Sequence, residues 1–267
     1  MQIGKYLGLV VFPIFFAFCP SLSAASYSWN FTGTGGTNCP ITSGRNSCAS
    51  PGNSMTFTAT TPGGPTVKAT VTAWYVNSAG TLQSATLGQY SSGLGVCYAT
   101  ENCSGSNQQL NNDGDNEFLL FQFTTPVDPT SITLKSTSNG GMGVSYWLGS
   151  TTYQSINLSN MDMTDSLSTL GFGSQNNLNA PGQGNTRAID FSGAPSTPVN
   201  AVLFGAMYGY SGDDFDISSM VGGTFAASVP EPASIFLLFT VIVAALRISR
   251  GRQVRRSRGQ FDRTALT

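Results

Sequence analysis

Two acidic clusters hold the residues best suited to chemistry. Asn112-Asp113-Gly114-Asp115-Asn116-Glu117 sets oxygen-bearing side chains around a glycine, and Asp213, Asp214 and Asp216 follow a second glycine-rich stretch late in the chain. Hard cations such as calcium take six to eight oxygens from carboxylates, amides and backbone carbonyls. Asp113, Asp115 and Glu117 are therefore candidate calcium ligands, and calcium is the one cofactor the sequence raises. The stretch lacks the glycine and glutamate placement of an EF-hand loop, so a solvated acidic turn between strands is the competing reading. Paired carboxylates also serve glycoside hydrolysis. Between Ser26 and Ser228, however, Glu101 and Glu117 are the only glutamates, and the aspartates fall in turns. Histidine is absent from the whole chain. That removes Ser-His-Asp and Cys-His arrangements, along with the side chain most used for proton transfer near neutral pH. The expectation is a protein that is not an enzyme.

Cysteine and tryptophan are the remaining candidates. Cys19 sits in an N-terminal apolar run, which leaves Cys39, Cys48, Cys97 and Cys103, an even set open to three pairings. Local pairs, Cys39 with Cys48 and Cys97 with Cys103, are favoured because each closes a loop rich in Gly, Asn and Ser. Loop entropy gives such short closures about 2 to 3 kcal/mol each. Zinc is disfavoured, since no histidine is available and neither spacing is the two-to-four-residue one that zinc sites use. Trp29, Trp74 and Trp147 could offer flat faces to sugars or fill a core. Trp74-Tyr75 and Tyr146-Trp147 are adjacent pairs, which a strand points to opposite faces. Core packing is expected for most of them, with one member of a pair free to face outward.

The elements that must position these groups read as strands. Short alternating runs bounded by Gly, Pro and Asn recur at Ser54–Thr60, Thr66–Val76, Glu117–Phe123, Ser131–Lys135, Met142–Leu148, Ala201–Tyr208 and Phe215–Ser218. Ser155–Leu170 reads as a short helix and turn across a sheet end, and Gly173–Gly184, rich in Asn and Gln, as an exposed loop. Strands at this spacing predict an all-β domain, an antiparallel β-sandwich or jelly roll over residues 26–228.

Charge divides the chain differently. Ser26–Ser228 carries four basic and eleven acidic residues, a net of −7, while Lys5 lies near the N-terminus and seven arginines follow the C-terminal apolar run. Such a body repels phosphates, so nucleic acid is excluded as a partner. Lys5, the apolar run Tyr6–Phe18 and the small residues Ser23-Ala24-Ala25 have the order of a secretory signal peptide over residues 1–25. Sec export and cleavage by signal peptidase follow as expectations. Ala233–Leu246 is uncharged and as a helix would rise about 21 Å, short of the roughly 30 Å hydrocarbon core. With Glu231 at one headgroup level and Arg247 snorkelling into the other, Val229–Ile248 forms a single transmembrane helix. Arg247, Arg250, Arg252, Arg255, Arg256 and Arg258 then hold the C-terminal side in the cytoplasm and leave the acidic body outside.

Pro230-Glu231-Pro232, the apolar segment and the arginine cluster over residues 229–259 resemble the PEP-CTERM sorting signal of bacteria that make exopolysaccharide. The resemblance implies that exosortase, a membrane-embedded transpeptidase-like enzyme, recognises the tripeptide, cuts near it, and passes the chain from a transient inner-membrane anchor to the cell surface or biofilm matrix. The proline pair fixes an extended strip at the membrane surface, as such cleavage requires. Residues 260–267 continue past the arginines as a cytoplasmic tail, beyond where most such signals stop. Within the body, Gly93-Leu94-Gly95-Val96, Leu110–Phe123, Leu203-Phe204-Gly205-Ala206 and Asp213–Ile217 are similar to segments of exosortase-dependent surface proteins, with Asp216 standing where that group more often has a basic residue. A structural or matrix-interaction role, with exopolysaccharide as a partner, is the expectation. A secreted carbohydrate-binding module is the alternative.

Overall fold

Strand-forming residues in alternating or doubly apolar runs account for nearly all of the regular structure. The computed structural model describes residues 25–33, 54–61, 65–98, 109–136, 140–151, 156–163, 166–179, 185–191, 198–223 and Val243. In chain order the elements are β1 (Ser26–Asn30), β2 (Ser54–Thr60), β3 (Thr66–Val76), β4 (Leu82–Ser84), β5 (Thr86–Gln89), β6 (Leu94–Cys97), β7 (Leu110–Asn111), β8 (Asn116–Lys135) and β9 (Val144–Gly149). They continue with α1 (Ser166–Thr169), β10 (Asn176–Leu178), β11 (Thr186–Asp190), β12 (Val199–Ala206) and β13 (Asp214–Gly223). Every pairing between these strands is antiparallel, so the chain is all-β. By Cα proximity Ala24–Phe225 forms one compact unit. The other unit, Met1–Ser23 with Ala226–Thr267, lies outside the described residues apart from Val243.

Strand β8 organises the sheet. Its first half, Asn116–Phe123, lies between β3 and β12, and β9 and β10 continue outward from β12. Its second half, Asp128–Lys135, lies between β11 and β13, and β13 in turn pairs with β1 and, at one position, β6. Thr124, Thr125 and Pro126 are exposed where β8 changes partners. The sequence predicts two separate strands here because Pro126 and Pro129 read as breakers. The structure has one 20-residue strand. Pro129 is tolerated because it faces Gly222, beside the register shift at Val221/Gly222.

The first half of β8 alternates between two buried faces. Leu119, Phe121 and Phe123 join a large cluster with Trp29, Val71, Ile132, Phe204, Ile217 and others drawn from both halves of the sheet. Phe118 and Leu120 turn the other way, to Trp74, Trp147 and Leu203. That second face is covered by Leu158, Met163, Leu167 and Phe172. The covering segment is pinned to β4, Asn160 N–H donating to Leu82 O (2.8 Å) and Leu82 N–H to Met161 O (2.7 Å). Asn160 takes the left-handed backbone (φ 63°) that asparagine tolerates. Among the described residues, the helix predicted within Ser155–Leu170 covers the four residues of α1. The predicted loop Gly173–Gly184 contributes an edge strand, β10.

This covering layer bears out the expectation that most of these aromatics are core, and it closes the outward side that alternation left open to Trp74-Tyr75 and Tyr146-Trp147. Trp74 and Trp147 lie in the second cluster, Tyr146 is buried in the first and Tyr75 packs against it. Trp29, Trp74 and Trp147 are 1%, 4% and 2% exposed. Both faces of this part of the sheet are core, so strand alternation leaves no outward side. Trp29 Nε1–H donates to Val67 O (3.3 Å) and Trp74 Nε1–H to Thr72 Oγ1 (2.8 Å), which satisfies their polar edges.

Candidate functional site

The sorting tripeptide Pro230-Glu231-Pro232, the arginines at 247, 250, 252, 255, 256 and 258, and the signal segment 1–25 lie outside the described residues. Among the described residues no helix is long and apolar enough to cross a membrane. Cys97 is buried at the end of β6 and is disulfide-bonded. Cys39, Cys48 and Cys103, and with them both favoured pairings, lie outside the described residues.

The four body segments singled out by resemblance converge. Leu94 pairs with Ile217, Leu110 with Phe215, Asn111 with Asp214, Phe118 with Gly205 and Leu120 with Leu203. At their junction the two acidic turns are stitched together by Asp213. Its Oδ1 accepts from Gly143 N–H (2.6 Å) and its Oδ2 from Asn112 Nδ2 (2.8 Å), while Asp213 N–H donates to Asn112 Oδ1 (2.8 Å). Asn112 Nδ2 also reaches Met207 O (3.0 Å), and Asp113 Oδ1 accepts from Gly212 N–H (2.9 Å). Glycine makes the approach possible, because a Cβ at Gly141 or Gly143 would lie 2.5 Å or 2.9 Å from Asp213 Oδ1. Arg187 donates from Nη1 to Met142 O beside this junction (2.6 Å). Burial lowers its pKa and Asp213 acts in the opposite direction.

The three calcium candidates are engaged in different ways. Asp113, Asp115 and Glu117 are not drawn together, and among the described residues no three His, Cys, Asp or Glu side chains are grouped to hold a metal ion. Asp113 is exposed and caps Gly212, whereas the Glu117 side chain is fully buried and accepts from Asn111 N–H through Oε2 (2.9 Å). Asp113 Oδ1 and Glu117 Oε2 are thus each engaged by a backbone amide.

A third buried carboxyl lies on β13, just after this junction. Asp216 is 2% exposed, and its Oδ1 has no hydrogen-bond partner among the described residues. Burial is the main cause that pushes its pKa up to about 7. A hydrogen bond from Ser92 lowers it, Asp214 raises it and Lys135 lowers it. Tyr90 is raised to about 12, by burial first and then by the charges of Asp216 and Glu117. The Tyr90 hydroxyl lies where a Cβ on Gly88 would be.

One groove opens beside the second core cluster, with a volume of about 480 Å³. Trp147, Met163, Leu167 and Phe172 form its floor, and Ser168 and Gln175 stand at its rim. Gln175 is oriented by bonds from Nε2 to Asn177 Oδ1 (2.8 Å) and Ser145 Oγ (3.3 Å). Among the described residues no ionisable side chain lines the groove. Sequence reading took Asn112 only as an oxygen of the acidic turn, without its bond to Asp213, and missed the Gly141/Gly143 strip, Tyr90 and this groove. The dense turn residues of Asn111–Asn116 and Gly209–Asp213 were the available signal. Comparison with protein-family models and with curated proteins finds no match.

Proposed function

We propose that the chain is an exported bacterial surface or extracellular-matrix protein with a structural or interaction role, sorted by exosortase through residues 229–259. One observation carries this reading: Pro230-Glu231-Pro232, the uncharged run Ala233–Leu246 and the arginine cluster from Arg247 to Arg258 stand in the order of a PEP-CTERM signal. The path follows from the parts. Sec and signal peptidase handle residues 1–25, the apolar segment anchors the chain transiently in the inner membrane, and exosortase releases it to the surface, where exopolysaccharide is the partner. The two halves of the sheet, sharing β8 and one core cluster, fit a sandwich ectodomain. Pairing of Cys39 with Cys48 and of Cys97 with Cys103 suits an oxidising location. The test replaces Pro230, Glu231 and Pro232 with alanine and fractionates the cells. Retention of the variant in the inner membrane is expected, and unaltered release counts against the reading.

A second reading, a secreted carbohydrate-binding module, is favoured by the groove beside Trp147. An uncharged site with an apolar floor and a hydroxyl and amide rim suits a neutral sugar unit. Because the tryptophans are core residues, Trp→Ala is a poor test. Gly173→Trp blocks the groove instead, since a Cβ there meets nothing nearer than Leu148 O at 3.6 Å. Saturable binding of the full-length chain on a glycan array, lost in Gly173→Trp, supports this reading. Absence of binding removes it.

A further inference from the structure

The β5–β6 hairpin reaches the core through Leu87, Leu94 and Val96 but joins the rest of the sheet by few ladder bonds. β5 pairs with β6 over four positions, but β6 meets β13 at Leu94↔Ile217 alone. The connecting turn is closed by Tyr90 N–H to Gly93 O (2.7 Å) and anchored by Gly33 N–H to Tyr90 O (2.9 Å). Gln89 Nε2 adds a bond to Phe31 O (3.1 Å). Gly93 adopts φ 149° with the Ile217 carbonyl set where a side chain would begin. Seating of the turn therefore depends on close contact with the strand segment that carries Asp216.

Asp216 occupies the seam between that turn and β13. Its carboxyl is buried, one oxygen lacks a partner among the described residues, and Ser92, in the turn itself, bonds to it. The charged and titratable groups that face it are Asp214 on its own strand, Lys135 opposite it on β8 and Tyr90 in the turn. Glu117, at the start of β8, acts on the same Tyr90. Lys135 is the one cation among them. Neutral, the carboxyl completes the core. Ionised, it becomes a buried charge whose solvation requires the seam to open.

We propose that the β5–β6 hairpin is a pH-operated latch, docked on β13 in acid surroundings and released when Asp216 ionises. A carboxyl that is harder to ionise in the docked state than in the open one binds its proton preferentially when docked. Docking is therefore complete at acid pH and is lost as pH rises through the docked value, which is about 7. Between the ordinary aspartate range and that value, each pH unit raises the opening equilibrium roughly tenfold.

The test is hydrogen exchange followed from pH 5 to pH 8 on the full-length chain in mild detergent, corrected for intrinsic rates. Protection of the Thr86–Gln89 and Leu94–Cys97 amides is expected to fall by roughly tenfold per pH unit up to about pH 7. Asp216→Asn, which imitates the neutral carboxyl, should hold that protection constant, while the β3 and β8 amides keep theirs in both proteins. Parallel behaviour of wild type and Asp216→Asn overturns the latch. Should the variant fail to fold, wild type alone decides: loss confined to the hairpin and its β13 partner supports the proposal, and uniform loss or no pH dependence overturns it.

Discussion

Replacing Asp213 by alanine tests whether the junction of the two acidic turns holds the domain together. Two hydrogen bonds to a buried carboxylate disappear, one from Gly143 N–H at 2.6 Å and one from Asn112 Nδ2 at 2.8 Å. Hydrogen bonds to charged groups contribute roughly 1.5 to 3 kcal/mol each, and a buried donor left alone costs about 1 to 3 kcal/mol. Asn112 Nδ2 keeps Met207 O at 3.0 Å, so Gly143 N–H is the main casualty and the net loss is about 3 to 4 kcal/mol. Against a total stability of roughly 5 to 15 kcal/mol, that lowers Tm by about 10 °C for a domain of this size. Urea unfolding of the full-length chain, followed by fluorescence of the three buried tryptophans, reads the change. Asp213→Asn, which keeps one oxygen for Gly143 N–H, should fall between wild type and alanine. A loss below about 1 kcal/mol in Asp213→Ala would refute the view that this carboxylate ties the turns together.

Phe121 is fully buried where β8 is flanked by β3 and β12, so Phe121→Ala should cost about 3 to 5 kcal/mol in the same unfolding assay. Gly205→Ala should destabilise as well, because a Cβ there collides with Glu117 O and the Phe118 ring; an unchanged urea midpoint would contradict that packing. Treatment with a calcium chelator should leave Tm unchanged, since Asp113 and Glu117 are already committed to backbone amides; a clear fall in Tm would restore the metal reading. Reduction and alkylation should lower the unfolding free energy by about 2 to 4 kcal/mol through the bond at Cys97, and an unchanged value would show that this bond does not brace the fold.

What the sequence revealed depended on distance along the chain. β3 is legible residue for residue, because TVKATVTAWYV is a long β-branched run with clear boundaries. β11 is not, because Thr-Arg-Ala-Ile-Asp buries only Ile189 and its polar ends resemble a loop. β6 is equally obscure, four residues with a glycine among them. The acidic turns are visible as turns. Their chemistry is not, since the decisive bond joins Asn112 and Asp213 across 101 positions, and local pattern cannot anticipate a partner so remote. For the tryptophan pairs, alternation alone leaves one side undecided for a related reason. Alternation predicts two faces, but whether the second is wet depends on residues 156–172 folding back over it.

Pairing of β1 with β13 joins the two extremities of the domain, Ser26 standing opposite Gly223. Among the described residues β1 has no other ladder partner, so the earliest strand synthesised waits for the latest. β8 likewise lacks three of its four neighbours until β11, β12 and β13 have been made. A nascent chain interrupted before β13 would therefore carry Tyr27 and Trp29 on a strand that has no ladder partner among the described residues. Maturation is governed by completion of the polypeptide rather than by stepwise assembly from its beginning, and C-terminal truncations that enter β13 should yield aggregates instead of smaller stable fragments.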